Sequence, residues 1–168
     1  MIGIKCRNME YIRYEIKIFM QYPSRHLLND PSRAVMFWQS GFDTAQMFCD
    51  SQAWTEALPY IGCAYETADI ILSTKVADPR VAFEMFTSST VSLAFTLLKL
   101  GHKEDAGDVY WSAIQRLEGE LAVGNADYHD LMQNLGFLYE CVDQVMSQFD
   151  ISHRDAMKGS TLSHRVVH

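Results

Sequence analysis

The sequence predicts an all-α protein of about six helices, and two features favour antiparallel helix hairpins. Across most of the 168 residues, apolar side chains recur at spacings of three and four, as on the buried face of an α-helix. The stretch from Leu93 to Ala113 holds two such stripes separated by Gly101. Ala94 and Ala106 are small enough for the two helices to pack closely. We therefore expect two helices joined by a tight turn.

The same pattern occurs 49 residues earlier in the chain. The residues in register are Ala45, Phe48, Ala57, Ile61 and Ala64 against Ala94, Leu97, Ala106, Tyr110 and Ala113. Five matches at a constant offset predict a duplicated hairpin. Two positions depart from the pattern, because Thr44 stands in place of Leu93 and Gln52 in place of Gly101.

The helices before and within the first hairpin follow from their apolar stripes and their breakers. Residues 9–22 predict an amphipathic N-terminal helix that ends at Pro23. A loop follows, and Ser32 is the expected N-cap of the next helix. The first hairpin is predicted over residues 33–75, with a kink or a late helix start before Pro59.

The rest of the chain predicts a second hairpin, one closing helix and a tail. Asp78-Pro79 is a strong helix start, so the second hairpin is expected over residues 80–123. A closing helix follows over residues 126–149, and residues 151–168 are polar enough to predict a tail. The length fits one domain, residues 1–150.

Composition and charge exclude several classes of function. The longest uncharged stretch, Met85 to Leu98, is 14 residues, which is shorter than the roughly 20 apolar residues of a membrane-spanning helix. Charges interrupt the N-terminal stretch, so neither a signal peptide nor a membrane partner is expected, and the prediction is a cytoplasmic protein. Residues 43–130 carry 14 acids and five bases, which argues against nucleic acid as the main partner.

The candidate chemical groups do not predict an enzyme. Four cysteines occur without a C-x-x-C pair, which favours buried reduced thiols. Cys49 and Cys63 have His26 and His102 as their nearest histidines, and both of these fall in loops or turns. The groups nearest to a metal-binding pattern are Asp150 with His153, and the cluster Asp127, His129 and Asp130. They lie at helix ends or in the tail, so neither a metal nor another cofactor is expected.

The hairpin pattern resembles a tetratricopeptide repeat. The large–small pair at Leu93-Ala94, the turn at Gly101 and the second-helix residues Ala106, Tyr110 and Ala113 carry the resemblance. Asn134-Leu135-Gly136-x-x-Tyr139 resembles the first helix of such a repeat, in which the small residue lets the preceding helix pack close. The resemblance implies a right-handed array of hairpins. The offset of 49 exceeds the 34 residues usual for these repeats.

The resemblance also implies a binding groove lined by the first helix of each repeat. Carried onto this sequence, the groove residues are Phe42, Gln46, Asp50, Val91, Phe95, Lys99 and Phe137. Such a groove suits a helix or an extended peptide of another protein, as in an adaptor, a regulator or a small chaperone. Small size and acidic charge are also similar to the tetratricopeptide class of bacterial secretion chaperones.

Three alternatives stay open at this point. The phenylalanines could complete a compact core together with the N-terminal helix. The helices could form a bundle that binds a small ligand or a metal. A structural homodimer could form through the face that holds Trp38 and Phe42.

Overall fold

The structure, a computed structural model, describes residues 30–124 and 128–161, with residues 31, 32 and 148–161 as backbone only. This part of the chain forms five α-helices and no strand, which confirms the predicted all-α class. The helices are α1 (Pro31–Asp50), α2 (Trp54–Thr74), α3 (Pro79–Lys99), α4 (Lys103–Val123) and α5 (Tyr128–Thr161). The predicted helix over residues 9–22 lies outside the described residues.

The first helix of each hairpin begins at an Asp-Pro pair. The Asp78 carboxylate accepts a hydrogen bond from the backbone N–H of Arg80 at 3.0 Å, and Pro79 occupies the first helical position. α1 begins in the same way with Asp30 before Pro31, so the prediction of Ser32 as N-cap is wrong. The fixed φ of proline already suits the first helical turn, and the helix therefore starts before the serine.

The geometry of the two hairpins repeats at the offset of 49 residues. α2 and α4 differ by 49 at both ends, and each is preceded by a turn of the same shape. In these turns the N–H groups of Gln52 and Gly101 donate to the carbonyl three residues earlier, at 2.9 and 3.0 Å. Both residues have positive φ, 57° and 84°. The helices then end alike, at Lys75 with φ 54° and Gly124 with φ 71°.

Small residues lie where the paired helices meet. Six alanines in register are at most 1% exposed: Ala45, Ala57, Ala64, Ala94, Ala106 and Ala113. Large apolar side chains fill the space between the helices, and Phe83, Phe86 and Leu97 are almost fully buried. Close backbone approach at the alanines allows dense packing of these larger neighbours. α2 begins at Trp54 and continues through Pro59, so the predicted late start is wrong.

The five helices lie in two layers. Each helix packs against the next one in the chain, and α3 also packs against α5. α1 contacts α3 through the Trp38 indole N–H, which donates to Ser89 Oγ at 2.8 Å. α2 contacts α4 through Arg116, whose Nε lies 2.8 Å from Asp69 Oδ1. One layer therefore holds α1, α3 and α5, and the other holds α2 and α4.

α5 is longer than predicted. The sequence predicts that the closing helix ends at Phe149 and that a tail begins at residue 151, but the helix continues to Thr161. The polar composition of residues 150–161 predicts exposure, and exposure is compatible with a helix when no proline interrupts it. Residues 162–168 of the predicted tail lie outside the described residues.

α3 is the described helix that is long and apolar enough to cross a membrane by length and composition alone. Its most apolar window has a mean hydropathy of 1.4, and 61% of that window is buried inside the protein. The central helix of a packed domain has the same properties, so this feature is weak support for a membrane span.

Candidate interaction surface

The centre of the candidate site is a cluster of Trp54, Phe95 and Lys99. The Trp54 and Phe95 rings meet edge to face with 5.7 Å between their centroids. Lys99 Nζ lies 5.0 Å from the Phe95 ring centroid and 5.8 Å from that of Trp54. The ammonium group therefore interacts with both π systems. We call these three residues the aromatic–lysine cluster.

Local sequence explains how these side chains meet. Phe95 and Lys99 are four residues apart, so they lie on one face of α3, near its end. Trp54 is the first residue of α2, and the short turn after α1 brings it beside them. Phe95 is 45% exposed although it contacts Trp54. Part of the ring is thus held in a fixed position while the rest faces solvent.

Polar contacts between α1 and α3 lie beside the cluster. Gln46 Nε2 donates to Ser92 Oγ at 3.2 Å, and Cys49 Sγ lies 3.8 Å from Thr96 Oγ1. Gln46 therefore lies on the predicted face and is tied to α3. Asp50 is exposed at the last residue of α1.

Phe42 and Val91 are used mainly in packing. Phe42 stacks on Trp38 with ring centroids 4.9 Å apart, and both Phe42 and Val91 are part-buried against the core. At these positions the structure agrees with the alternative that the side chains complete a core. Trp38 is 8% exposed and hydrogen-bonded within the chain, so its ring is not available to a second copy.

Phe137 lies apart from the cluster. It is 49% exposed on α5, and no ring contact joins it to Phe42 or Phe95. In the 49-residue repeat, the position that corresponds to Phe42 and Val91 is Glu140. Of the predicted groove residues, the structure thus brings Phe95 and Lys99 into contact and places Gln46 on the adjacent seam.

Gly136 does not have the packing role that the resemblance implied. A Cβ atom at this position would meet nothing within 4 Å, and the residue is exposed. No neighbouring helix approaches this side of α5 in the described part of the chain. The prediction that a small residue here admits the preceding helix is therefore wrong.

The predicted metal-binding and thiol groups have structural roles or fall outside the description. Among the described residues no three of His, Cys, Asp and Glu converge on one point. Asp130 pairs with Arg80 at 2.7 Å, and His129 contacts Gln133 at 3.0 Å. Burial raises the pKa of Cys63 to about 12, so its thiol stays protonated at neutral pH. Asp127 and the side chains of Asp150 and His153 lie outside the described residues.

No known protein family, curated protein or solved structure matches the chain. The functional assignment of the aromatic–lysine cluster accordingly rests on its contacts, exposure and charge.

Proposed function

We propose that this protein is a non-catalytic protein–protein interaction module that acts in the cytoplasm as an adaptor, a regulator or a small chaperone. It binds a helix or an extended peptide of a partner on the layer formed by α1, α3 and α5. The observation that carries the proposal is the aromatic–lysine cluster, in which a half-exposed phenylalanine is held by a tryptophan and a lysine.

Two physical properties suit this cluster to binding. Aromatic residues are enriched at the centres of interfaces, where burial of the ring supplies free energy. Covering the exposed half of Phe95 contributes roughly 1 kcal/mol, since full burial of such a side chain is worth about 1.5–3 kcal/mol. The contacts with Trp54 and Lys99 already restrict the ring, so little rotamer entropy remains to be lost.

The wider surface follows if the hairpins form a short tetratricopeptide-like right-handed array. The repeated turns, the buried alanines in register and the alternation of two layers support such an array. Its groove would use Gln46, Phe95 and Lys99, with Trp54 added by the structure. Lys99 adds a positive charge to this surface, which suits a partner segment that carries a carboxylate near its apolar anchor.

The test is affinity capture from native lysate with the wild-type chain and the variants Phe95→Asp and Met36→Asp. Met36 is 71% exposed on α1 and lies outside the cluster, so it controls for the effect of a new surface charge. Circular dichroism first establishes that all three proteins are folded. We expect Phe95→Asp to lose a protein that the wild type and Met36→Asp both retain. Retention of the same proteins by all three chains would overturn the proposal.

A further inference from the structure

α5 carries an exposed apolar stripe beside its buried one. The buried stripe consists of Leu131, Leu135, Leu138, Val142 and Val145. On the flank of the helix next to α4, a second set is 39% to 69% exposed: Tyr128, Met132, Tyr139 and Met146. Trp111 of α4 contacts this set and is itself 47% exposed. We call these five residues the α5 edge.

The repeat shows what normally covers such an edge. Met132, Tyr139 and Met146 correspond, 49 residues earlier, to Phe83, Thr90 and Leu97 of α3. All three of these α3 residues are at most 1% exposed. The equivalent side chains of α3 are therefore covered by neighbouring helices, whereas those of α5 are open to solvent.

In the first hairpin the covering element is the second helix of the same hairpin. Gly41, 49 residues before Thr90, faces α2, where a Cβ atom would lie 3.6 Å from the Tyr60 carbonyl oxygen. The corresponding residue of α5 is Tyr139. In the described residues no helix follows α5, so the face that α2 covers on α1 has no neighbour on α5.

The α5 edge is held in a defined shape. Tyr139 meets Trp111 edge to face with 6.2 Å between ring centroids, and its hydroxyl donates to Glu118 Oε1 at 2.7 Å. An exposed ring fixed at both its face and its hydroxyl loses little entropy when a partner covers it. Tyrosine, tryptophan and methionine are also the residues enriched in protein interfaces.

We propose that the α5 edge is covered by the α5 edge of a second copy of this chain, with the two helices antiparallel about a twofold axis. The five side chains expose roughly 500–600 Å² per copy, so the pair buries about 1,000–1,200 Å², near the lower limit for a specific interface. The spacing of the exposed residues with Leu135 and Val142 alternates between four and three, as in a helix–helix seam.

Antiparallel pairing is self-complementary at this edge. With the axis near residue 137, Tyr128 meets Met146 of the second copy, a favourable contact between sulfur and an aromatic ring. Gly136 then lies close to the axis, where its open space lets the helices approach. The acids Glu140 and Asp143 come opposite Asn134 and Leu131 of the second copy, so like charges do not face each other there.

The experiment compares the molar mass of three full-length chains by size exclusion with light scattering. They are the wild type, Gly136→Leu and Gly119→Leu. Both glycines are exposed within helices, and a Cβ atom at either would meet nothing within 4 Å. Leucine favours the helix over glycine, so neither change threatens folding. Gly119 follows Glu118 by one residue and is turned about 100° away from it around α4.

At about 50 µM, well above the micromolar dissociation constants of weak interfaces, we expect twice the monomer mass for the wild type and for Gly119→Leu. Gly136→Leu should raise the dimer dissociation constant at least tenfold, because its side chain fills the space at the axis. A monomeric wild type would overturn the proposal, also where residues 1–29 of the same chain cover the edge. A dimer unaffected by Gly136→Leu would overturn it as well.

Discussion

Exchanging residues between the equivalent turns of the two hairpins should change stability in opposite directions. Gln52 and Gly101 occupy the same left-handed turn position, with φ of 57° and 84°. This conformation costs an L-residue about 1–2 kcal/mol, whereas glycine adopts it freely. We therefore predict that Gln52→Gly stabilises the fold and that Gly101→Gln destabilises it.

The magnitude follows from two opposing contributions. Glycine removes the left-handed strain but gives the unfolded chain more freedom, which costs about 0.4–1 kcal/mol. The net change in the free energy of unfolding should be about +0.5 to +1 kcal/mol for Gln52→Gly and the reverse for Gly101→Gln. For a chain of this length, each kcal/mol corresponds to roughly 2–4 °C in Tm.

The assay is urea unfolding followed by circular dichroism at one fixed protein concentration, since self-association would add to apparent stability. Gly119→Gln serves as the matched control. It makes the same substitution inside α4, where glycine weakens the helix, and should stabilise by about 0.5–1 kcal/mol. The reasoning would be refuted if Gly101→Gln and Gly119→Gln changed stability in the same direction.

Two further predictions concern buried polar groups. Thr87 Oγ1 is buried without a hydrogen-bond partner, so Thr87→Val should raise the free energy of unfolding by about 1 kcal/mol. The hydroxyl of Thr90 donates to the Phe86 carbonyl at 2.7 Å, so Thr90→Val should show no such gain in the same urea titration, and equal gains at both sites would contradict the explanation. Cys63 has a pKa of about 12 because of burial, so at pH 8 roughly one thiol in ten thousand is ionised. An aromatic disulfide reagent should therefore modify Cys63 only after unfolding in urea, and rapid modification in the folded protein, measured by peptide mass spectrometry, would show that the thiol is accessible.

Local signals predict the described helices well because each has a physical cause within a few residues. Asp78-Pro79 supplies a cap and a fixed φ, and Gly101 supplies the left-handed turn. The same turn at Gln52 is harder to predict, since glutamine does not favour positive φ. Its equivalence with Gly101 becomes clear only from the 49-residue offset.

The binding surface is less predictable because it depends on which side of a helix remains uncovered. Trp54 falls in an apolar stripe of α2, so periodicity alone assigns it to the core, yet it contacts exposed Phe95. Phe42 has the sequence features of a groove residue but packs on Trp38. In both cases the deciding contacts join residues more than one helix turn apart.

The position of each helix in the array explains both exposed surfaces. α3 has neighbours on most of its circumference, namely α1, α2, α4 and α5, and what remains open is the side that carries Phe95. α5 is the last described helix and lacks a hairpin partner, so it is open on the flank that carries Tyr139 as well. The two surfaces lie on different helices and share no residue. A partner bound at Phe95 and a second copy at Tyr139 can therefore be held at the same time.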